Sequence, residues 1–151
     1  MIDRYETFAS AISAIYHHIQ KIERDEMVKY GSKGIFAQYL AALKAHPEGL
    51  TSTQLSEALD KDKAAVTRAL GEMSASGLVT RQGQGVYRAR MVLTDLGRDA
   101  ADYVCQRAFA AVNAVGDGVS IDDRKAMYRA LLQIAANLEV VSRDGLPDAA
   151  Q

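Results

Sequence analysis

LTSTQLSEALDKDKAAVTRALGEMSASGLVTR, residues 50–81, is the stretch on which the reading of the whole chain turns. Thr51 with Gln54 three residues later forms a capping-box signal ahead of a short helix whose apolar positions are Leu55 and Leu59. A polar turn, Asp60-Lys61, separates it from a second helix, for which Asp62 is a suitable N-cap and Gly77 a suitable stop after Ser76. Val66, Ala69, Leu70 and Met73 line one side of that helix, while Lys63, Ala64, Thr67, Arg68 and Gly71 occupy the other.

Working outward, Leu78 to Arg81 and Val86 to Leu93 are β-branched runs around a tip centred on Gly83-Gln84-Gly85, which predicts a hairpin. Upstream, a helix from about Lys33 to Ala45 carries Ile35, Phe36, Tyr39, Leu40 and Leu43 and halts at His46-Pro47-Glu48-Gly49. Helix, short helix, turn, helix and hairpin, in that order, make a winged helix-turn-helix.

The chain ends have a different pattern. Tyr5, Phe8, Ile12, Ile15, Ile19 and Ile22 recur at alternating spacings of three and four, a narrow stripe suited to a helix–helix seam. With no Gly or Pro between Asp3 and Tyr30, one long helix is expected, stopping at Gly31. Another should run from Asp95 to Val115 behind Thr94 as N-cap and end at Gly116. The last begins behind Ser120, with Asp123 completing the cap, and repeats the stripe at Met127, Leu131, Ile134, Leu138 and Val141. Apolar seams drawn from both ends would be left exposed in a monomer, so a homodimer is expected. The expected organisation is therefore a dimerisation helix over 1–31, a DNA-binding lobe over 32–98, further dimerisation helices over 95–142 and a flexible tail over 143–151. The fold class is mainly α with a small β-hairpin wing.

Composition agrees. In 151 residues, 48% are hydrophobic and 25% charged, with two prolines and no tryptophan, values that exclude wholesale disorder and favour helix. No apolar run approaches a membrane span and no secretory signal opens the chain, so a cytoplasmic protein without membrane contacts is expected. The net charge of −1 hides an asymmetry. Residues 61–98 carry seven basic and three acidic groups, while the rest of the chain is net negative by five. A basic segment within an acidic body is an electrostatic footprint for a polyanion.

Double-stranded DNA is the polyanion this arrangement fits. A helix enters the major groove, and its N-terminal residues reach base edges. On the second helix of the motif, Ala64 and Ala65 permit close approach, Thr67 offers a hydrogen bond, and Arg68 is suited to guanine. Lys61 and Lys63 precede them, and Ser52 and Thr53 sit beside the free amides of the short helix, where a phosphate fits. In the hairpin, Gln84 lies at the tip and Arg88 and Arg90 share a face suited to backbone or minor groove.

The quoted stretch, together with VLTDLGRDA (residues 92–100) and the helix within SIDDRKAMYRALLQIAANL (residues 120–138), resembles the MarR family of bacterial transcriptional regulators. The resemblance runs from about Ser32 to Val141. It implies a triangular homodimer on a pseudo-palindromic operator, a repressor or activator released by a small ligand or an oxidant. One departure lies in the wing, where the family's Asp-x-Arg is missing. Tyr87 stands at the arginine position, with Arg88 and Arg90 the nearby cations. The family binds aromatic or phenolic acids in the cleft beside its dimerisation helices, which on this chain corresponds to Tyr16, His17, Tyr30, Phe36 and Tyr39. The plain alternative is that these aromatics pack the junction.

Other classes find less support. Cys105 lies mid-helix, away from the N-terminal helix where the family's peroxide sensors carry their cysteine, although a redox-responsive regulator working through it stays an alternative. His17 and His18 are adjacent and point about 100° apart on a helix, so no metal site is expected. No phosphate loop, nucleophile elbow or metal-spaced cluster suggests an enzyme or a cofactor. A winged-helix dimer serving as a protein-interaction adaptor remains a second alternative.

Overall fold

The computed structural model describes residues 2–83, 89–114, 116 and 118–146. Six helices and one two-stranded antiparallel sheet are found among them: α1 (Ile2–Lys29), α2 (Phe36–Ala45), α3 (Ser52–Leu59), α4 (Lys63–Ala75), β1 (Val79–Gln82), β2 (Arg90–Leu93), α5 (Asp95–Ala114) and α6 (Ile121–Asp144). This is a mainly α fold with a hairpin wing, and α3, α4 and the hairpin form a winged helix-turn-helix. Two compact units divide at residue 114, the second containing α6. No helix among the described residues is long and apolar enough to cross a membrane.

The local signals around the motif act as their chemistry requires. Thr51 Oγ1 accepts from Gln54 N at 3.2 Å, and Gln54 Oε1 accepts from Thr51 N at 2.9 Å, closing the capping box of α3. That helix ends on Asp60 in the left-handed region, φ +50, from which the chain turns into α4. Asp62 caps α4 by accepting from Ala65 N at 2.9 Å. Val66, Ala69, Leu70 and Met73 are buried, as the one-sided stripe predicts. Around them the first unit's core gathers Met27 of α1, Phe36, Tyr39, Leu40 and Leu43 of α2, Leu55 of α3, Leu78, Val79, Met91 and Leu93 of the hairpin, and Val104 of α5.

α2 begins at Phe36, three residues later than the apolar pattern predicts. Lys33 and Gly34 instead form a tight turn in which their carbonyls accept from Phe36 N and Ala37 N at 3.0 and 3.2 Å, leaving Ile35 exposed. β1 and β2 pair from Val79 with Leu93 to Gln82 with Arg90. Leu50 extends the sheet by exchanging two backbone hydrogen bonds with Met91, at 3.1 and 2.8 Å. The expected tip, with Gln84 and Arg88, lies outside the described residues.

The start of α5 locks onto the end of α4. Thr94 caps α5 by accepting from Gly97 N at 3.0 Å, and its own hydroxyl donates to the carbonyl of Gly77. Thr94 N donates to Leu78 O at 3.1 Å. Gly97 packs directly on that same carbonyl: a Cβ there would stand 1.9 Å from Leu78 O. α6 is capped by Ser120, whose hydroxyl accepts from Asp123 N at 3.1 Å, and Arg124 Nη2 donates to Gly116 O at 3.0 Å. None of its residues is fully buried, and it continues through Asp144, inside the stretch expected as tail; residues 147–151 of that tail lie outside the described residues.

A methyl at residue 97 has nowhere to go except into a backbone oxygen, so the elements must separate. Gly97→Ala is expected to cost about 3 kcal/mol or more of stability, lowering the thermal midpoint by roughly 10 °C for a chain of this length. Differential scanning calorimetry of the two proteins measures it.

Candidate nucleic-acid interface

α4 presents its N-terminal half to solvent on one side. Lys63, Ala64, Thr67, Arg68 and Gly71 are exposed, while Ala65 is half-buried against the lobe and offers less than the sequence pattern implies. Thr67 differs from expectation in a chemical sense. Its hydroxyl donates to the Lys63 carbonyl, one turn back, at 2.8 Å, and so is already engaged. Ser52 is half-buried and Thr53 exposed at the first two positions of α3. The capping box takes up the amides of Thr51 and Gln54, and those of Ser52 and Thr53 stand outside it.

The acids of this segment are each spent locally. Asp62 caps α4, Glu72 pairs with Lys33 at 2.6 Å, and Asp95 pairs with Arg98. Lys61, Lys63, Arg68 and Arg81 enter no ion pair among the described residues. Among the described residues, the segment's cations outside any ion pair or clasp therefore lie on α4, the turn before it and β1. Arg81, an exposed cation on β1, was legible only as part of the basic excess and not as a site residue.

Arg90 behaves otherwise. One guanidinium nitrogen donates to the Gly49 carbonyl at 2.8 Å, tying the base of the wing to the turn before α3. Gly49 is held at φ +83 with the Met91 carbonyl 2.8 Å from where its Cβ would stand, so that turn admits only glycine. Arg90 is thus partly a structural clasp and less free than a shared face with Arg88 suggested.

The aromatic residues expected along one cleft do not gather there. Phe36 and Tyr39 lie in the core, because α2 turns its aromatic side onto the lobe; Tyr39 is completely buried and its hydroxyl has no hydrogen-bond partner. Tyr30 is half-buried and stacks at a tilt on Tyr103, with ring centroids 5.2 Å apart. His17 is exposed and meets His18 edge to face. Tyr16 alone of the five borders an open groove of about 610 Å³, along with Gln20, Glu23, Gln38, Asp60 and Lys61. Burial pushes the Glu23 carboxyl up from its ordinary pKa, with Arg24 partly opposing it.

An ion cluster around the buried Glu26, with exposed cations, was not anticipated. Glu26 accepts from Lys29 Nζ at 2.6 Å, Arg107 Nε at 3.0 Å and Tyr103 OH at 3.3 Å, binding the end of α1 to α5. The hydrogen bonds from Lys29 and then Arg107 hold its carboxyl below the usual range. Its signal was present: Glu26 follows Ile22 by four residues, which puts it on the seam itself. Cys105 is half-buried on α5 beside Lys44, which pairs with Asp102 at 2.7 Å. Among the described residues no cluster of three His, Cys, Asp or Glu side chains is placed to hold a metal ion.

A capped helix with a small, cationic outer face, braced by a hairpin, defines a winged helix-turn-helix of the kind that docks on a polyanion. Residues 34–86 match the model of the MarR family. The chain is similar to the crystal structure of a MarR-family transcriptional regulator from Silicibacter pomeroyi, at 26% identity over 84% of this chain and 86% of that one, with a TM-score of 0.69. A MarR transcriptional regulator from Methanosarcina mazei Go1 superposes at TM-score 0.74, 22% identical over 89% and 92% of the two chains. A Listeria monocytogenes protein assigned to the family and solved with a 26-mer DNA superposes at 0.71, 14% identical over 94% and 97%. No match is found among curated proteins. The match to the MarR model falls on the helix-turn-helix and the start of the wing, and the solved structures share the fold around it.

Glu23 permits a check on the groove. Its folded-state pKa is raised, so ionisation opposes folding above the ordinary carboxylate range and does nothing below it. Glu23→Gln is expected to raise the urea midpoint at about pH 7.5, and the gain should vanish near pH 4, where the carboxyl is protonated in both states. A gain independent of pH would locate the effect elsewhere.

Proposed function

We propose that the protein is a sequence-specific DNA-binding transcriptional regulator that acts as a homodimer on a pseudo-palindromic operator. The observation that carries this reading is the outer face of α4. Ala64, Thr67 and Arg68 are exposed there, with Lys61, Lys63 and Arg68 outside every ion pair among the described residues while Asp62 and Glu72 are engaged. Small residues let the helix axis approach the groove floor, and an unpaired guanidinium supplies a fork of donors for guanine O6 and N7. Ser52 and Thr53, with Lys61, Lys63 and Arg81, suit the flanking phosphates. The Listeria protein of the same fold, solved with a 26-mer DNA, supports DNA as the partner.

Homodimerisation is supported by apolar side chains that stay exposed at regular spacing. On α1 these include Tyr5, Phe8 and Ile15; on α6 they include Met127, Ile134 and Leu138. Two copies sharing such stripes would bury them and set two α4 helices one DNA turn apart. Repression is the expected sign of regulation. Release by a small aromatic ligand is the reading that the groove supports, since it combines the Tyr16 ring with the polar groups of Gln20, Glu23, Asp60 and Lys61.

Arg68→Ala is expected to cost about 1–3 kcal/mol at the cognate site and to relax preference at one base pair per half-site. A gel-shift series on selected duplexes measures this, and unchanged binding sinks the base-reading role. Sedimentation equilibrium at micromolar concentration is expected to return twice the chain mass of 16.4 kDa. A folded 16.4 kDa species would refute the dimer.

A further inference from the structure

The DNA reading above assigns α4 to the major groove without saying what Thr67 contributes there. The hydroxyl of Thr67 points back along its own helix to the Lys63 carbonyl at 2.8 Å, yet the residue is exposed. Its one donor is therefore spent within the helix, and what it offers outward is its Cγ2 methyl beside oxygen lone pairs that can only accept. Ala64, three residues earlier on the same side, is also exposed and presents only a Cβ methyl. Arg68 follows directly, and Gly71 leaves the next turn bare. The face thus consists of two methyl groups one turn apart beside one guanidinium, with no uncommitted hydroxyl donor among them.

Resting on the DNA-binding reading, we propose that Thr67 is a specificity-determining residue that selects thymine through its methyl group, with Ala64 providing a second apolar contact, and not a hydrogen-bond donor to a base. In the major groove the C5-methyl is the feature that separates thymine from the other bases apolarly. A threonine whose hydroxyl is satisfied within the helix meets that methyl without leaving a donor unpaired. If the hydroxyl instead turned to a base, the Lys63 carbonyl would lose its side-chain partner, though not its place in the helix.

The test uses the full chain and a duplex enriched by in vitro selection, at one fixed salt concentration. Each thymine of a half-site is replaced singly by deoxyuridine, which removes only the C5-methyl. At one or two positions binding is expected to weaken about fourfold, the loss that one methylene-sized apolar contact implies. Thr67→Val, which keeps the methyl and drops the hydroxyl, should retain both the affinity and the deoxyuridine penalty. Thr67→Ser, which does the reverse, should abolish the deoxyuridine penalty at the one position Thr67 meets, binding there at the level of the original protein on the deoxyuridine duplex, and a penalty that survives at every position overturns the role of Thr67. A half-site indifferent to every deoxyuridine overturns the proposal while leaving DNA recognition intact, as does a Val variant that loses affinity where the Ser variant keeps it. Failure to enrich any sequence overturns the DNA reading itself, and this inference with it.

Discussion

Everything in the first unit depends on a contact with no side chain on one side of it. The Leu78 carbonyl receives the Thr94 amide and sits against the bare Cα of Gly97, while the Thr94 hydroxyl reaches the Gly77 carbonyl. In one place, then, the end of α4, the root of both strands and the start of α5 are joined by backbone. Side-chain packing alone lets helices slide by fractions of a residue, whereas such a joint admits one register. It makes α4 and the wing a single rigid body and makes α5 its extension. The Glu26 cluster then fastens α5 to α1 at the other end, so a chain of stiff connections runs from α4 to the long N-terminal helix.

How much of this the sequence discloses follows from how local each determinant is. Capping by Thr51, Asp62, Thr94 and Ser120 was legible because each cap and its target lie three residues apart. The buried stripe of α4 was legible because its period is regular. Phe36 and Tyr39 were misplaced because aromatic residues look alike whether they line a cleft or fill a core, and only the rotation of α2 decides. The Arg90 clasp on Gly49 spans 41 residues and the Glu26 clasp on Arg107 spans 81, and no local pattern encodes either. That the Thr67 donor is engaged was not legible for a subtler reason: a hydroxyl in mid-helix has its own backbone within reach, and the sequence does not say whether it turns there or outward.

Charge shows the same division between composition and placement. A net of −1 says nothing about a polyanion, and even the local excess over residues 61–98 is a sum of paired and unpaired groups. Pairing decides which of them matter. Because exposed ion pairs add little stability, the Lys33–Glu72 bridge is better understood by what it removes from the surface than by what it adds to the fold. It takes one acid away from the α4 face and uses a lysine from outside the basic segment to do so. Arg98, by contrast, is withdrawn from the basic segment by Asp95 and by the Leu93 carbonyl. The field is thereby displaced from the start of α5 towards α4 and β1.

The turn at residues 60–62 is where these threads meet. Asp60 ends α3 in a left-handed conformation, Asp62 starts α4, and between them Lys61 borders the groove beside Tyr16 and Glu23. Three residues therefore set the pitch of α4 relative to α3, and two of them line a space large enough for a small aromatic molecule. A ligand seated there would meet Asp60 and Lys61 and so act on the turn directly, with no need to transmit strain through the core. Since α4 is welded to the wing through Gly77 and Leu78, any tilt imposed at its N-terminus would carry the hairpin with it. Base contacts and flanking contacts would then be lost together, which is the behaviour a release mechanism needs and one that a flexible linker between helix and wing would defeat.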